Sequence, residues 1–297
     1  MSAPAVETMS AVTMRAVTKS YRGRTALSEC NLKVPVGRVV ALVGSNGAGK
    51  STMLRIMAGL TSPSSGDVTV LGQGSAPSSS AQLSRVGYLD QDRPLYRGFR
   101  VGEMLKAAAH TNEHWNQDLA RRHLAQLGIG LKQRIRQLSG GQQAQVALAL
   151  CLAGEPELLI LDEPAAALDP AARHDLLNLL LQHVSGGDVT VVLSTHALDD
   201  VVSICDYLVV VAHGRVVLSD DLDYVMQSHR LLRATVDSSH FPQGAVVVED
   251  RRGTRDGVVL LRLELPVTQD LWTFEEPTLD EIVLAYMRLR AVGEVAG

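Results

Sequence analysis

A glycine-rich segment beginning at Gly44 carries the residue types that hold phosphate. It reads Gly-Ser-Asn-Gly-Ala-Gly-Lys-Ser-Thr, follows an apolar run and opens a helical pattern. Glycines let backbone N–H groups turn toward phosphate oxygens, and the helix N-terminus adds partial positive charge. Lys50 can neutralise the β/γ-phosphates and the Ser51 hydroxyl can ligate Mg²⁺. The segment therefore predicts a nucleoside triphosphate site made of Gly44, Ser45, Asn46, Gly47, Ala48, Gly49, Lys50, Ser51 and Thr52.

Two adjacent carboxylates end a second apolar run. Leu158–Leu161 is followed directly by Asp162 and Glu163. An aspartate at the C-terminal end of a strand beside a phosphate loop is placed to hold the water shell of Mg²⁺. The next side chain points elsewhere, and Glu163 could accept a proton from an attacking water. The alternative is a strand that merely runs into an acidic turn, and this pair alone does not decide between the two.

The word Leu-Ser-Gly-Gly-Gln, starting at Leu138, lies between the phosphate loop and the two carboxylates. Together these three motifs resemble the ATP-binding cassette (ABC) family, specifically the ATP-binding subunits of bacterial exporters of the ABC-2 type. The resemblance runs over residues 8–220. It implies an ATPase that binds ATP and Mg²⁺ and drives transport through a membrane-spanning permease on a separate polypeptide.

The resemblance also implies how two such cassettes cooperate. In this family two copies pack head to tail with two ATP molecules between them, so that each triphosphate lies between two helix N-termini. The turn that faces the ATP bound by the opposite copy would comprise Ser139, Gly140, Gly141 and Gln142. One chain carries a full set of motifs, which permits either a symmetric pair or a heterodimer.

Four further residues match family elements. Tyr21 is similar to the aromatic residue that stacks on adenine, although a tyrosine at a strand edge is the structural alternative. Gln91 resembles the glutamine that touches magnesium and the attacking water. The segment Ala-Leu-Asp-Pro, which contains Asp169, resembles the loop that crosses to the opposite subunit. His196 resembles the histidine that contacts the γ-phosphate. The resemblance thus makes Glu163, His196 and Gln91 catalytic, and Ser51, Gln91 and Asp162 ligands of magnesium.

The chain departs from the family pattern at three positions. Ala166 replaces a serine often found before Ala-Leu-Asp, and Gln145 and Leu150 replace arginines common in the helix after the signature word. The first change removes a potential hydrogen bond between subunits. None of the three alters the residues predicted to bind phosphate, magnesium or water, so an active ATPase is predicted.

The order of elements predicts the fold that would position these residues. Short apolar runs alternate with helical patterns, which favours a mostly parallel sheet covered on both faces. The resemblance makes this α/β fold a P-loop NTPase cassette with an antiparallel β subdomain and an inserted helical subdomain at about 92–153. The cassette would span 8–220 and a small α+β extension would span 221–297. Strands are expected at residues 11–17, 86–89 and 158–161 of the cassette and at 231–236 of the extension. Helices are expected at residues 170–184 and at Thr278–Arg290, with a break in the helical pattern of the insertion at glycines 140 and 141.

Composition excludes several other classes. The net charge of −4 gives no reason to expect a nucleic-acid partner. The three cysteines lie singly, which is typical of free thiols in a reducing cytosol rather than of disulfides or metal sites. No run of 18 or more apolar residues occurs, and residues 1–14 do not read as a signal peptide. The chain is therefore expected at the cytoplasmic face of a membrane, held by its permease.

The kind of ABC protein, whether exporter, importer or ATPase without a permease, is predicted from short segments outside the three motifs. Residues 277–287 resemble the ending of exporter ATPases, which favours export over import. The alternatives are an importer ATPase, or a regulatory or assembly ATPase that has no permease. Residues 94–100, just after Gln91, are the segment expected to contact a membrane partner.

Overall fold

The computed structural model describes residues 9–74, 84–92, 95–166, 168–184, 189–233, 241, 244–251, 257–264 and 274–289. The strands are β1 Ser10–Tyr21, β2 Arg24–Pro35, β3 Val39–Val43, β4 Ser65–Val70, β5 Gln73–Gly74, β6 Val86–Leu89, β7 Leu158–Leu161, β8 Thr190–Thr195, β9 Tyr207–Ala212, β10 Arg215–Asp221, β11 His229–Arg233, β12 Val246–Asp250, β13 Val258–Arg262 and β14 Phe274–Glu275. The helices are α1 Lys50–Met57, α2 Val101–Thr111, α3 Gln117–Gln126, α4 Gly140–Ala153, α5 Pro170–Val184, α6 Leu198–Ile204, α7 Leu222–Ser228 and α8 Leu279–Arg288.

The central sheet has the order β10-β9-β3-β8-β7-β6. Its five strands from β9 to β6 are parallel, and β10 pairs antiparallel with β9 at the edge. Every residue of β3 and β7 is buried, as expected when both faces of a parallel sheet are covered. The predicted mostly parallel sheet is confirmed, and the carboxyl ends of β3, β7 and β8 meet along one edge.

The two faces of this sheet contribute to different cores because successive side chains of a strand point to opposite sides. Val40 and Leu42 of β3 pack in a core shared with α1 and the antiparallel sheet β2-β1-β4-β5. Val39, Ala41 and Val43 pack in the other core, which includes residues of α4, α5 and α8. The second sheet is the antiparallel β unit that the resemblance implied.

Helices α2, α3 and α4 are inserted between β6 and β7, as expected from the helical pattern there. They have a small core of their own, to which Leu105, Leu124 and Val146 contribute one fully buried side chain from each helix. The glycines at 140 and 141, expected to break a helix, instead begin α4. Ser139 caps that helix, accepting from the Gln142 N–H at 3.2 Å, while the Gln142 side chain accepts from the Ser139 N–H at 3.0 Å.

Beyond β10 the chain forms a third sheet, β12-β13-β11-β14, and helices α7 and α8. The sequence patterns identified α8, which Thr278 caps by accepting from the Glu281 N–H, but missed α7. Leu222 of α7 and Ile282 of α8 join the same core as Leu208 of β9, so the extension packs on the central sheet. Arg290 and residues 234–236, expected in the last helix and in a strand, lie outside the described residues.

Within the described ranges, no helix is both long and apolar enough to span a bilayer.

Candidate functional site

The phosphate loop connects β3 to α1 and depends on glycine at both ends. Gly49 has φ 109°, a conformation that side chains rarely adopt, and it lies immediately before the first turn of α1. At Gly44 a Cβ atom would lie 2.4 Å from the Val211 carbonyl oxygen of the neighbouring strand β9. Neither position has room for a side chain, so this conformation of the loop requires glycine at both ends.

Lys50 is the first residue of α1 and is buried, with 6% of its surface exposed. Its Nζ donates to the Gly44 carbonyl at 2.7 Å and to the Ser45 carbonyl at 3.3 Å. Burial lowers the pKa of Lys50, and the nearby carboxylates of Glu163 and Asp162 partly offset that effect. A buried ammonium held by two neutral carbonyls fits an anionic phosphate group as its missing counter-charge.

A cleft of about 760 Å³ opens in front of this loop, a size typical of ligand pockets. Of the residues expected at the site, it brings together Tyr21, Asn46, Gly47, Gly49, Lys50, Ser51, Thr52, Gln91 and Glu163. Tyr21 is 45% exposed at the edge of the cleft, and the Lys19 Nζ lies over one face of its ring, 5.0 Å from the ring centre.

Sequence reasoning missed five residues that also line this cleft. They are Arg24, Thr25 and Ala26 of β2, and His213 and Gly214 of the β9–β10 turn. The turn is held in place because the Gly214 N–H donates to the Ala48 carbonyl at 3.1 Å and the Ser28 N–H donates to the Gly214 carbonyl at 2.8 Å. No motif marks these residues, since only the packing of one sheet on the other brings them to the phosphate loop.

Asp162 and Glu163 follow β7 and are held by a residue of the adjacent strand. Ser194, at the end of β8, donates its hydroxyl to Asp162 Oδ1 at 2.7 Å and accepts from the Glu163 N–H at 2.8 Å. Asp162 is buried, with 1% of its surface exposed. The two neighbouring carboxylates are thus fixed in different directions, Asp162 in the interior and Glu163 toward the cleft.

The three residues expected to be catalytic converge on one atom, Oε2 of Glu163. The Gln91 Nε2 donates to it at 3.4 Å, and the His196 Nδ1 lies 3.8 Å away. They come from the loops that follow β6, β7 and β8, because the carboxyl ends of adjacent parallel strands meet at one edge of the sheet.

The expected magnesium ligands fit a magnesium ion bound to phosphate better than a site made only of protein ligands. Ser51 and Gln91 line the cleft, and the Asp162 carboxylate lies beneath it, close enough to Lys50 to affect its pKa. A hydroxyl, an amide and a carboxylate are hard oxygen donors, and Mg²⁺ commonly combines one carboxylate with substrate phosphates. Among the described residues no group of three or more His, Cys, Asp or Glu side chains could hold a metal by itself.

The turn at residues 139–142, called the signature turn below, does not line this cleft, and neither does Asp169. Ser139, Gly140, Gly141 and Gln142 form the exposed or half-exposed start of α4. A Cβ at Gly141 would lie 3.0 Å from the Ala172 Cβ of α5, so glycine permits the close packing of these helices. Asp169 accepts from the Ala171 and Ala172 N–H groups at 3.1 and 3.0 Å and thereby caps α5. Ala167, in the same loop, lies outside the described residues.

Two of the three departures from the family pattern lie in α4. Gln145 is buried in α4, where its Oε1 accepts from the His123 Nε2 at 3.0 Å and its Nε2 donates to the Ala172 carbonyl at 3.4 Å. It therefore links the helical insertion to α5. Leu150 packs at the edge of the core of the helical insertion.

Comparison with known proteins identifies the family. A family model described as ABC transporter matches residues 27–166. The chain is 35% identical over 210 residues to Nod factor export ATP-binding protein I of Sinorhizobium fredii, covering 69% of this chain but only 61% of that relative. It is 36% identical over 220 residues to the aliphatic sulfonates import ATP-binding protein of Pectobacterium atrosepticum, covering 70% of this chain and 76% of the relative.

A solved structure supports the same assignment. The dimeric post-hydrolysis state of an ATP-binding cassette bound to ADP and Pi superposes with a TM-score of 0.64 and 26% identity, covering 71% of this chain and 98% of that one. The phosphate loop and the inserted helices lie within residues 27–166, which the family model matches. The chain therefore belongs to the ABC transporter family, as an ATP-binding cassette with ATPase activity.

Proposed function

We propose that the cleft hydrolyses ATP with Glu163 as the general base. The observation that carries this proposal is the convergence of Gln91 and His196 on Oε2 of Glu163, at the edge of the cleft that holds Lys50. A carboxylate there can take a proton from a water that Gln91 orients. In this proposal His196, from the next loop, contacts the γ-phosphate and senses the state of Glu163.

In the proposed reaction the water oxygen bonds to the γ-phosphorus as its proton passes to Glu163. The bond from that phosphorus to the oxygen of ADP breaks, which yields ADP and phosphate. Lys50 and the N–H groups of the phosphate loop stabilise the charge that builds on the phosphate oxygens. When bound, Mg²⁺ supplies further positive charge to the β- and γ-oxygens, and Ser51, Asp162 and Gln91 are the residues that would hold it.

We further propose that two copies of the chain assemble head to tail around two ATP molecules. The signature turn does not reach the cleft of its own chain, and its helix N-terminus is free to face an anion on another copy. The structurally similar cassette is a dimer bound to ADP and Pi. Each site would then take the phosphate loop from one copy and Ser139 to Gln142 and Asp169 from the other.

A mixing experiment tests this assembly. Lys50→Ala and Ser139→Arg variants should each hydrolyse little ATP when purified alone. In an equal mixture about half of the dimers are heterodimers, each with one intact site, so about a quarter of wild-type activity should return if the sites act independently. A mixture no more active than its components would contradict a site shared between two copies.

We propose that a membrane permease binds the surface formed by the segment after Gln91. Tyr96 and Phe99 are exposed there, with ring centres 5.2 Å apart, and Leu131 is a third exposed apolar side chain. Exposed stacked aromatic residues are typical of protein interfaces. Residue 94 of the predicted contact segment lies outside the described residues. Docking here would hold the cassette at the cytoplasmic face of the membrane.

Capture from membranes tests the permease partnership. A tagged chain should retain a multi-span protein in detergent, and Tyr96→Ser/Phe99→Ser should lose it while hydrolysing ATP normally. Leu60→Ser, which alters another exposed apolar residue, is the matched control and should retain the partner. If no multi-span protein is retained, the chain is a regulatory or assembly ATPase without a permease.

We propose export as the direction of transport, supported by the tail at residues 277–287 and by the Nod factor export relative. The sulfonate relative is an import protein, so an importer is the second candidate. Uptake of labelled cargo into inside-out vesicles would support export, and uptake into right-side-out vesicles would support import. The division into a cassette at 8–220, with its helical part at about 92–153, and an extension at 221–297 is likewise a proposal.

A further inference from the structure

We propose that Ser194 is a positioning residue, which acts on hydrolysis by fixing the direction of Glu163. This inference rests on the proposed role of Glu163 as the base. Ser194 has no exposed surface and lies at the end of β8, so its hydroxyl does not face the solvent-filled cleft. It is placed to act through its neighbours rather than on ATP.

The register of the central sheet brings Ser194 to the two carboxylates. Leu161 of β7 pairs with Leu193 of β8, so the residues that follow each of them, Asp162 and Ser194, lie side by side. The hydroxyl then makes both of its hydrogen bonds to one segment, donating to Asp162 Oδ1 at 2.7 Å and accepting from the Glu163 N–H at 2.8 Å. One buried oxygen thus ties the orientation of the Asp162 carboxylate to the position of the Glu163 backbone.

The backbone of Glu163 needs such a restraint. Its φ is 46°, a left-handed conformation that residues other than glycine rarely adopt without support from their surroundings. The Ser194 hydroxyl holds the N–H of this residue, and the Glu163 carbonyl accepts from the Ala166 N–H at 3.1 Å. This turn is what directs the side chain toward Gln91 and His196. Without the hydroxyl, we expect Glu163 to relax and its Oε2 atom to leave the point where those side chains meet.

A purely structural role for Ser194 makes a different prediction. A hydroxyl that only satisfies a buried N–H would affect stability and leave the rate unchanged, and one that acted through Asp162 would weaken nucleotide binding. A hydroxyl that aims Glu163 should lower kcat and leave KM for ATP almost unchanged, because misplacing a reacting group slows the chemical step. Its effect should also vanish once Glu163 cannot act as a base.

The test is a double-mutant cycle on full-length protein with Ser194→Ala, Glu163→Gln and the double variant. Ser194→Ala should lower kcat about 10- to 100-fold, change KM for ATP less than about 3-fold and still dimerise with ATP. In the Glu163→Gln background the same change should lower kcat less than about 2-fold. Thr190→Val is the matched control, because it removes a buried hydroxyl at the other end of β8, where it accepts from the Gly37 N–H, and should leave kcat unchanged.

Ser194→Thr is a second variant, which tests the inference even if Ser194→Ala does not fold. Threonine keeps the hydroxyl, and a cavity of about 100 Å³ has Ser194 among its lining residues, so at least half of the wild-type kcat should be kept. The inference is overturned if Ser194→Ala hydrolyses ATP at the wild-type rate, or if it lowers kcat by the same factor in the wild-type and Glu163→Gln proteins. It is also overturned if Ser194→Thr is as slow as Ser194→Ala. If Glu163→Gln is itself fully active, the proposed function fails and this inference fails with it.

Discussion

The His196 Nδ1 lies 3.8 Å from the Glu163 Oε2, although the two residues come from loops that follow different strands. Their contact depends on the parallel pairing of β7 with β8, which places both loops at the same edge of the sheet. His196 is mostly exposed on its outer side, so it can contact Glu163 and a ligand at once. Glu163 and His196 are therefore brought together by the pairing of the sheet itself.

His196→Ala should lower kcat about 10²- to 10³-fold, the loss typical of removing one group that stabilises developing charge. ATP binding should change little because the phosphate loop and Lys50 are untouched. The measurement is steady-state hydrolysis together with nucleotide affinity. His110→Ala, which alters an exposed histidine on α2 whose Nδ1 lies 2.6 Å from the Lys106 carbonyl, should behave as wild type. Equal rates for the two variants would contradict the role given to His196.

Lys50→Met should abolish the stabilisation of the protein by ATP. Wild type should gain about 2.7 kcal/mol at a nucleotide concentration 100-fold above Kd, and the variant should gain nothing. The measurement is thermal unfolding with and without ATP and Mg²⁺.

The same variant should reveal the cost of burying the Lys50 charge. Because burial lowers its folded-state pKa below the ordinary 10.5, the charged form destabilises the fold at neutral pH. That cost is complete below the folded pKa and fades as the pH rises toward 10.5. Without ATP, Lys50→Met should therefore be at least as stable as wild type near pH 7.5, with the difference shrinking in alkali. A difference that grows with pH would contradict this account.

Some elements of the fold could be read from the sequence with correct bounds. The short apolar runs of β6 and β7 and the helix α5, with proline at its first position, were predicted as the structure has them. The predicted strand at residues 11–17 extends in fact to Tyr21, where polar residues continue a long hairpin. Helix α7 was missed because seven residues are too few to show a period.

The residues of the site also divide into those that the sequence predicts and those that it does not. Lys50, Asp162 and Glu163 belong to motifs in which spacing along the chain carries the chemistry. Ser194 belongs to none, since its position depends on which residue of β7 pairs with which residue of β8. Arg24 and His213 meet in the cleft only because two sheets pack together. Contacts set by pairing across strands leave no signal in a single sequence.

Acid should destabilise the protein through the buried His229. This imidazole has no exposed surface, and its ring nitrogens contact the Val225 carbonyl and the Tyr286 hydroxyl at 2.7 and 3.1 Å. Burial lowers its pKa below the ordinary 6.5, so the unfolded chain takes up a proton first as the pH falls. The resulting loss of unfolding free energy is absent above pH 6.5. It grows as the pH falls below 6.5, by up to about 1.4 kcal/mol per pH unit, until the pKa of the folded state is reached.

Urea unfolding at pH 7.5 and 5.5 measures this penalty. His229→Gln should flatten the loss of stability between the two pH values, whereas His110→Gln should leave the wild-type slope. If all three proteins lose stability equally, His229 does not carry the acid sensitivity.

The ion pair between Arg173 and Asp200 should stabilise the loops on either side of the site. Arg173, near the start of α5, donates its Nε to Asp200 Oδ1 at 2.7 Å, and a second guanidinium nitrogen lies 2.6 Å from Oδ2. Asp200 is buried, so Asp200→Asn should cost about 1–3 kcal/mol in urea unfolding. Glu157→Gln breaks a comparable but exposed pair with Arg85 and should cost less than about 1 kcal/mol. A similar cost for both would show that burial of the pair is unimportant.

The most direct test of the central claim compares ATP hydrolysis and size-exclusion behaviour of wild type and Glu163→Gln. Wild type should turn over ATP. The variant should be nearly inert and should elute as a stable dimer only when ATP is present, because uncleaved nucleotide stays between the two copies. Hydrolysis at the wild-type rate in Glu163→Gln would contradict the assignment of the base, and an ATP-bound variant that stays monomeric would contradict the shared site.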